Sequence, residues 1–169
     1  MKINVKAKRS TLWLGFILTF GLIQGCGFHL RGDYLLSPQL QNIHVSSVDK
    51  HGELTRLVKQ HLVLNKINIT PKSTVDTPEL HILKDSLDRR TLSVFPNGQV
   101  AEYELIYSVK YQLIFSNEDI RTYEVELDKD YQDDPNLALA KSRELTLMLS
   151  EMRKKAADRI LRNLASLKI

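Results

Sequence analysis

Cys26 is the only cysteine among the 169 residues, and its position limits what its thiol can do. It follows an apolar run from Leu12 to Ile23, and that run follows Lys2, Lys6, Lys8 and Arg9 with no acidic residue among them. A twelve-residue helix at about 1.5 Å per residue reaches ~18 Å, well short of the ~30 Å hydrocarbon core of a bilayer, so the segment reads as an export signal and not as a stop-transfer helix. At its end stand Ile23, Gln24, Gly25 and Cys26, a branched apolar residue three places before the cysteine and a small one beside it. A peptidase cutting ahead of Cys26 needs that small neighbour, and the freed cysteine can then take a diacylglyceryl thioether. No second cysteine exists, so an intrachain disulfide is excluded. Several acyl chains on one residue hold firmly where a single chain binds marginally, at ~0.8 kcal/mol per buried CH₂.

This junction resembles the bacterial lipobox, with Gln24 its less usual element. The expectation is a signal peptide over 1–25, removed to leave an N-acyl, S-diacylglyceryl (palmitate-type) Cys26. In the lipoprotein class it resembles, an Asp after the cysteine favours the inner membrane. Gly27 stands there, so the expected address is the outer membrane of a Gram-negative bacterium. Loss of the signal also removes four of the 24 Lys and Arg, leaving 20 against 20 Asp and Glu. The basic balance belongs to the leader, and a nucleic-acid partner is not expected.

Other side chains offer little catalysis. His29, His44, His51, His61 and His81 do not stand at zinc-ligand spacing, and no Gly-rich phosphate loop or nucleophile elbow occurs. His61 falls near the apolar side of a helical pattern and reads as a core histidine. The acidic run Glu124, Glu126, Asp128, Asp130, Asp133, Asp134 lacks EF-hand spacing and a loop glycine, so it reads as a solvated strand face and a helix cap. The chain is not expected to be an enzyme or to need a metal or nucleotide. Two constellations could instead bind a ligand. Arg89 and Arg90 lie close in sequence to Phe95, Pro96 and Asn97, a mixture suited to an amphipathic anion, although two surface arginines beside a solvated turn would look the same. Lys141 stands early in a predicted helix, where the macrodipole disfavours a cation.

The elements that must position these residues are α+β in order. Residues 42–48 alternate as a short strand, and Glu53 to Lys66 place Leu54, Leu57, Val58 and Leu62 at helical spacing. A brief strand is expected around Ile67 to Ile69, then an extended segment from Glu79 to Phe95 whose phase slip suggests a bulge near Asp88. From Ala101 to Phe115 every odd residue is apolar, a period of two that specifies a half-buried strand. Asn97-Gly98 ahead of it predicts a tight hairpin, and a second turn near Asn117 to Asp119 leads to a third strand through Tyr123, Val125 and Leu127. Asp134 and Pro135 read as the cap and first residue of a helix reaching about Leu167. Some thirty residues of helix span ~45 Å, more than a small domain needs. The expected organisation is a signal peptide at 1–25, an anchor and linker at 26–40, and a single domain at 41–169 in which two helices pack on a small, mostly antiparallel sheet.

Three stretches carry a resemblance to a known family: Cys26-Gly27-Phe28-His29-Leu30-Arg31-Gly32, then Ser93 to Tyr103 (SVFPNGQVAEY), then Asn136-Leu137-Ala138-Leu139-Ala140-Lys141. They resemble the LPS-assembly lipoprotein family LptE. The resemblance implies an α/β sandwich of two helices on a small sheet. It implies a lipoprotein that plugs the β-barrel LptD of the outer membrane and binds lipopolysaccharide on its way to the cell surface. Lys141 matches a basic position that the family uses toward lipopolysaccharide. The family's other basic position falls between Phe95 and Asn97, where this chain has Pro96, so Arg89 or Arg90 would substitute or the tip would contribute shape and apolar contact. A scaffold lipoprotein tying the outer membrane to other periplasmic assemblies is the alternative.

Overall fold

The alternation from Ala101 to Phe115 builds the middle strand of the antiparallel meander within a five-stranded sheet. In a computed structural model, described over residues 36–115 and 119–167, the strands are β1 (Asn42–Ser47), β2 (Asn68–Thr70), β3 (Glu79–Val94), β4 (Val100–Ile114) and β5 (Ile120–Gln132). Their order is β2-β1-β3-β4-β5. The β3–β4 and β4–β5 ladders are long and antiparallel, while β1 joins β2 and β3 through short parallel ladders. The sheet is therefore mixed but dominated by its antiparallel meander. Helices α1 (Glu53–Leu64) and α2 (Ala138–Ser166) complete the α+β fold. The signal segment, Cys26 and the chain to residue 35 lie outside the described residues, as does most of the turn expected at 117–119. Phe115 N donates to Asp119 O at 3.0 Å, closing the β4–β5 ladder at that end.

Both helices pack on the face that carries the odd residues of β4. Leu105, Tyr107, Val109, Tyr111 and Leu113 are buried there, against Leu57, Val58 and Leu62 of α1 and Met152, Ala156, Ile160, Leu161 and Leu164 of α2. Leu36 and Leu40, ahead of β1, join the same core. His61 is half-buried, at the margin of this core. Two buried tyrosines keep their hydroxyls paired, as burial requires. Tyr111 accepts from Asn163 Nδ2 at 3.1 Å and stacks on Tyr123 at 5.4 Å between centroids. Tyr107 donates to Asp85 Oδ2 at 2.7 Å, and Arg153 approaches the same carboxylate at 3.6 Å while binding Glu53 Oε2 at 2.7 Å. Glu53 also accepts from Ser150 at 2.8 Å, so one polar network ties α1, α2, β3 and β4 together.

The bulge in β3 lies elsewhere than expected. Register shifts occur between Ile82 and Lys84 and again between Thr91 and Ser93, making Leu83 and Leu92 the extra residues, while Asp88 pairs regularly with Ile106. The first shift changes which residues face the helices: Leu80 and Ile82 before it, Asp85, Leu87 and Arg89 after it. Polar Lys84, Ser86 and Asp88 thereby turn away from the core, and Asp85 reaches the Arg153 network.

The hairpin tip also departs from a two-residue turn. Gly98 N donates to Phe95 O at 2.9 Å and Phe95 N to Gln99 O at 2.8 Å. Gly98 has φ +84°, and Asn97 does not take a positive φ. The geometry is a turn over 95–98 with glycine in the left-handed region, where Pro96 at its second position presets the backbone. Asn97 closes it, its Oδ1 accepting from Gln99 N at 3.1 Å.

Candidate functional site

Lys141 lies in the first turn of α2 and is positioned from three sides. Asp134 accepts from Asn136 N at 2.9 Å and starts a 3₁₀ turn at Pro135–Leu137, which hands the chain to α2 at Ala138. The Lys141 ammonium rests over the Tyr131 ring at 4.6 Å from its centroid, and the Tyr131 hydroxyl donates to the Lys141 carbonyl at 3.1 Å. Glu144, one turn along, pairs with Nζ at 2.7 Å. Only 14% of the Lys141 side chain is exposed. The Glu144 hydrogen bond raises the Lys141 pKa above its usual value, so the ammonium is charged at any physiological pH. Burial and the nearby Asp133 charge raise the Tyr131 hydroxyl likewise, keeping it neutral.

Tyr131 on β5 pairs in register with Tyr103 on β4. Arg89 on β3 places its guanidinium 5.8 Å from the Tyr103 ring centroid. Two cations therefore lie over two neighbouring tyrosines, each within the ~6 Å range of cation–π attraction. Arg90, the next residue along the strand, points to the other face and pairs with Glu104. The adjacent arginines thus separate: Arg89 joins Lys141, and Arg90 belongs to the charged lattice of the open sheet face with Lys110–Glu124.

The predicted tip residues come to the same end of the domain. Phe95, Pro96 and Asn97 share a cavity of about 320 Å³ with Asp134, Pro135 and Asn136, the segment that opens α2. A second cavity, of about 420 Å³, is lined by Leu92, Glu102, Asp130, Tyr131, Gln132, Lys141 and Glu144. Leu92, Val94, Phe95, Leu137 and Leu139 are all substantially exposed, Leu139 at 82%. Cations, aromatic faces and uncovered apolar side chains are gathered at one end. Tyr103, Tyr131 and Glu144 complete this group and were missed as site residues by sequence reasoning. Tyr103 sits within the alternating strand pattern that marked it as core, Tyr131 lies beyond the Tyr123–Leu127 alternation read for the third strand, and only the (i, i+3) spacing of Lys141 and Glu144 hinted at their pairing. Among the described residues no three His, Cys, Asp or Glu side chains gather as metal ligands, and no helix is long and apolar enough to cross a membrane.

The profile of the family LptE, described as lipopolysaccharide-assembly, matches residues 40–164. The chain belongs to the LptE family. The LPS-assembly lipoprotein LptE of Pectobacterium atrosepticum is 37% identical over 157 residues, covering 90% of this chain and 85% of that protein. That of Yersinia enterocolitica is 38% identical over 141 residues, covering 83% and 68%. Among solved structures, the rare lipoprotein B of Shewanella oneidensis superposes with a TM-score of 0.69 at 46% identity, over 74% of this chain and 94% of that one. These relatives are named as lipoproteins of lipopolysaccharide assembly, and their names record no reaction. The family match runs through residues 40–164, which hold the second and third of the three motifs, and the two-helix, one-sheet architecture is shared with a solved relative.

Proposed function

We propose that this LptE-family chain is the lipopolysaccharide-binding lipoprotein of an outer-membrane translocon, anchored through acylated Cys26 and lodged within the β-barrel LptD as its plug. The observation that carries the reading is the meeting of Lys141 and Arg89 over Tyr131 and Tyr103, beside the exposed Leu92, Val94, Phe95, Leu137 and Leu139. A phosphorylated, acylated saccharide needs both halves of that surface, a cation for phosphate and apolar side chains for acyl chains. The two cations stand on rigid elements and need no folding on arrival, which favours binding. No covalent chemistry is involved: the tip engages single lipid molecules and separates them from their aggregates.

The open sheet face supports the barrel half of the proposal. Its side chains are polar and largely paired, including Arg90–Glu104, Lys110–Glu124 and the Ser46–Glu79–His81 cluster. Such a face suits the polar lumen of a large barrel better than lipid. Pro96 brings no charge to the tip, so Arg89 supplies the second cation in this account.

The test is purification of the tagged chain from outer membranes in mild detergent, with bound protein identified and bound lipopolysaccharide quantified. One stoichiometric barrel partner, with lipopolysaccharide reduced several-fold by Lys141→Asp, is the expected result. Wall-associated partners in place of a barrel would overturn the plug and favour the scaffold. A barrel without any effect of Lys141→Asp on lipopolysaccharide would overturn the binding site.

A further inference from the structure

The Lys141 site has an anion of its own, and this inference rests on the lipopolysaccharide reading of Lys141 given above. Glu144 holds Nζ at 2.7 Å while its own side chain is 48% exposed. An ordinary exposed pair of this kind leaves both partners solvated and contributes little. Here the lysine alone is covered, pressed between the Tyr131 ring and the carboxylate. Asp133 is a second carboxylate whose charge acts on the ammonium, so one positive charge answers to two negative ones. Surroundings with that balance repel free anions. With the Tyr131 ring on one side of the ammonium and Glu144 on another, phosphate approaching Lys141 meets the Glu144 carboxylate as its competitor, and Glu144, half exposed on a helix surface, can swing aside without disturbing the core.

We infer that Glu144 is the affinity-setting residue of this site, a resident carboxylate that keeps Lys141 over Tyr131 and that incoming phosphate must displace. Phosphate brings more negative charge and more acceptor oxygens than a carboxylate, so it wins the exchange when apolar contacts at Leu92 and Leu139 hold the lipid nearby. When the lipid moves on, Glu144 returns to Nζ. Binding is thereby an exchange between two anions, which holds affinity down and favours release of a lipid in transit. Glu144 acts through Lys141 and is a positioning residue that does not itself contact the lipid.

The experiment measures equilibrium binding of purified lipopolysaccharide to the mature lipoprotein in detergent, for the wild type, Glu144→Gln, Lys141→Gln and the double variant. Removing one competing charge is expected to tighten binding by roughly threefold to tenfold in Glu144→Gln, the scale of one ion pair plus the loss of one repulsion. The gain should vanish in the Lys141→Gln background and with enzymatically dephosphorylated lipopolysaccharide, because coupling belongs to the contacting pair. Unchanged or weaker binding in Glu144→Gln, with Lys141→Gln still impaired, would overturn the inference and leave the lipopolysaccharide reading standing. A gain that survives in the double variant would overturn it too, as a general charge effect. If Lys141→Gln binds like the wild type, the reading of Lys141 as a lipid ligand fails and the inference with it.

Discussion

Helix α2 divides near Met148 into two stretches with opposite surroundings. From Met148 to Leu164 it buries Met148, Met152, Ala156, Ala157, Ile160, Leu161 and Leu164 against the sheet and α1. From Ala138 to Leu147 it buries none, and Leu139 and Leu147 stand in the open. The sheet repeats the division: Leu80, Ile82, Tyr111 and Leu113 lie deep in the core, while Leu92, Val94 and Phe95 at the far end of the same hairpin are uncovered. One end of the molecule is stabilised by its own packing. The other extends past that packing on long, rigid elements and presents, beside the Lys141 and Arg89 cations, apolar side chains that nothing among the described residues covers. A surface of that composition is a place for a ligand or partner.

If the division is real, substitutions at the two ends must fail in different ways. Leu161→Ala at the packed end should cost about 2–5 kcal/mol, the range for a buried leucine truncated in a close-packed core. Urea unfolding of the domain would show it as a lower midpoint, with lipopolysaccharide binding by the remaining folded fraction intact. Lys141→Asp at the open end should do the reverse, moving the urea midpoint little and lowering lipopolysaccharide binding about tenfold, on the scale of one charge-assisted contact. Gly98→Ala sits between them. A φ of +84° in the tip turn strains any residue with a side chain, so about 1 kcal/mol of stability is lost there, although open space surrounds the added methyl. Hydrogen exchange should then rise across 94–100 and stay unchanged in α1.

The pH response sharpens the same contrast. Hydrogen bonds from Ser150 and Arg153 hold the Glu53 carboxyl below its ordinary 4.5. A carboxylate with a depressed folded-state pKa adds stability in full above its unfolded value and loses it as pH falls through the folded one. The packed end should therefore weaken below about pH 4.5, and Glu53→Gln should flatten that acid limb of the urea midpoint by less than about 1 kcal/mol, since the pair is partly solvated. The smallest effect is expected from Pro96→Arg. It adds a charge to the tip at a cost of a few tenths of a kcal/mol in turn stability, because proline presets this backbone, and should raise lipopolysaccharide binding about twofold.

What could be read from the chain followed the same boundary. The packed end announced itself because local patterns and tertiary burial agree: odd residues from Leu105 to Leu113 and helical spacing from Leu54 to Leu62. The open end was legible only as separate pieces. Lys141, Arg89 and Phe95 could each be singled out, but Tyr131 and Tyr103 unite them through a β4–β5 register and a helix lying over it, neither of which is a local property. The bulges were the hardest feature. Leu83 and Leu92 are apolar residues in an extended run, and nothing in their type distinguishes an extra residue from a paired one. Placing the slip five residues late left open which of Arg89 and Arg90 turns toward the helices. The fold answers that question by directing Arg89 to Tyr103 and Arg90 to Glu104.

The most direct measurement is photocrosslinking in living cells, with a photoreactive residue replacing Leu139 or Phe95 at the open end, or Val63 or Ile120 away from it. All four side chains are exposed, so reactivity at each depends on what comes near and not on access. A lipid-binding open end gives lipopolysaccharide adducts at Leu139 and Phe95, abolished at Leu139 by Lys141→Asp, and none at Val63 or Ile120. Adducts of equal yield at all four positions, or only at Val63 and Ile120, would contradict it.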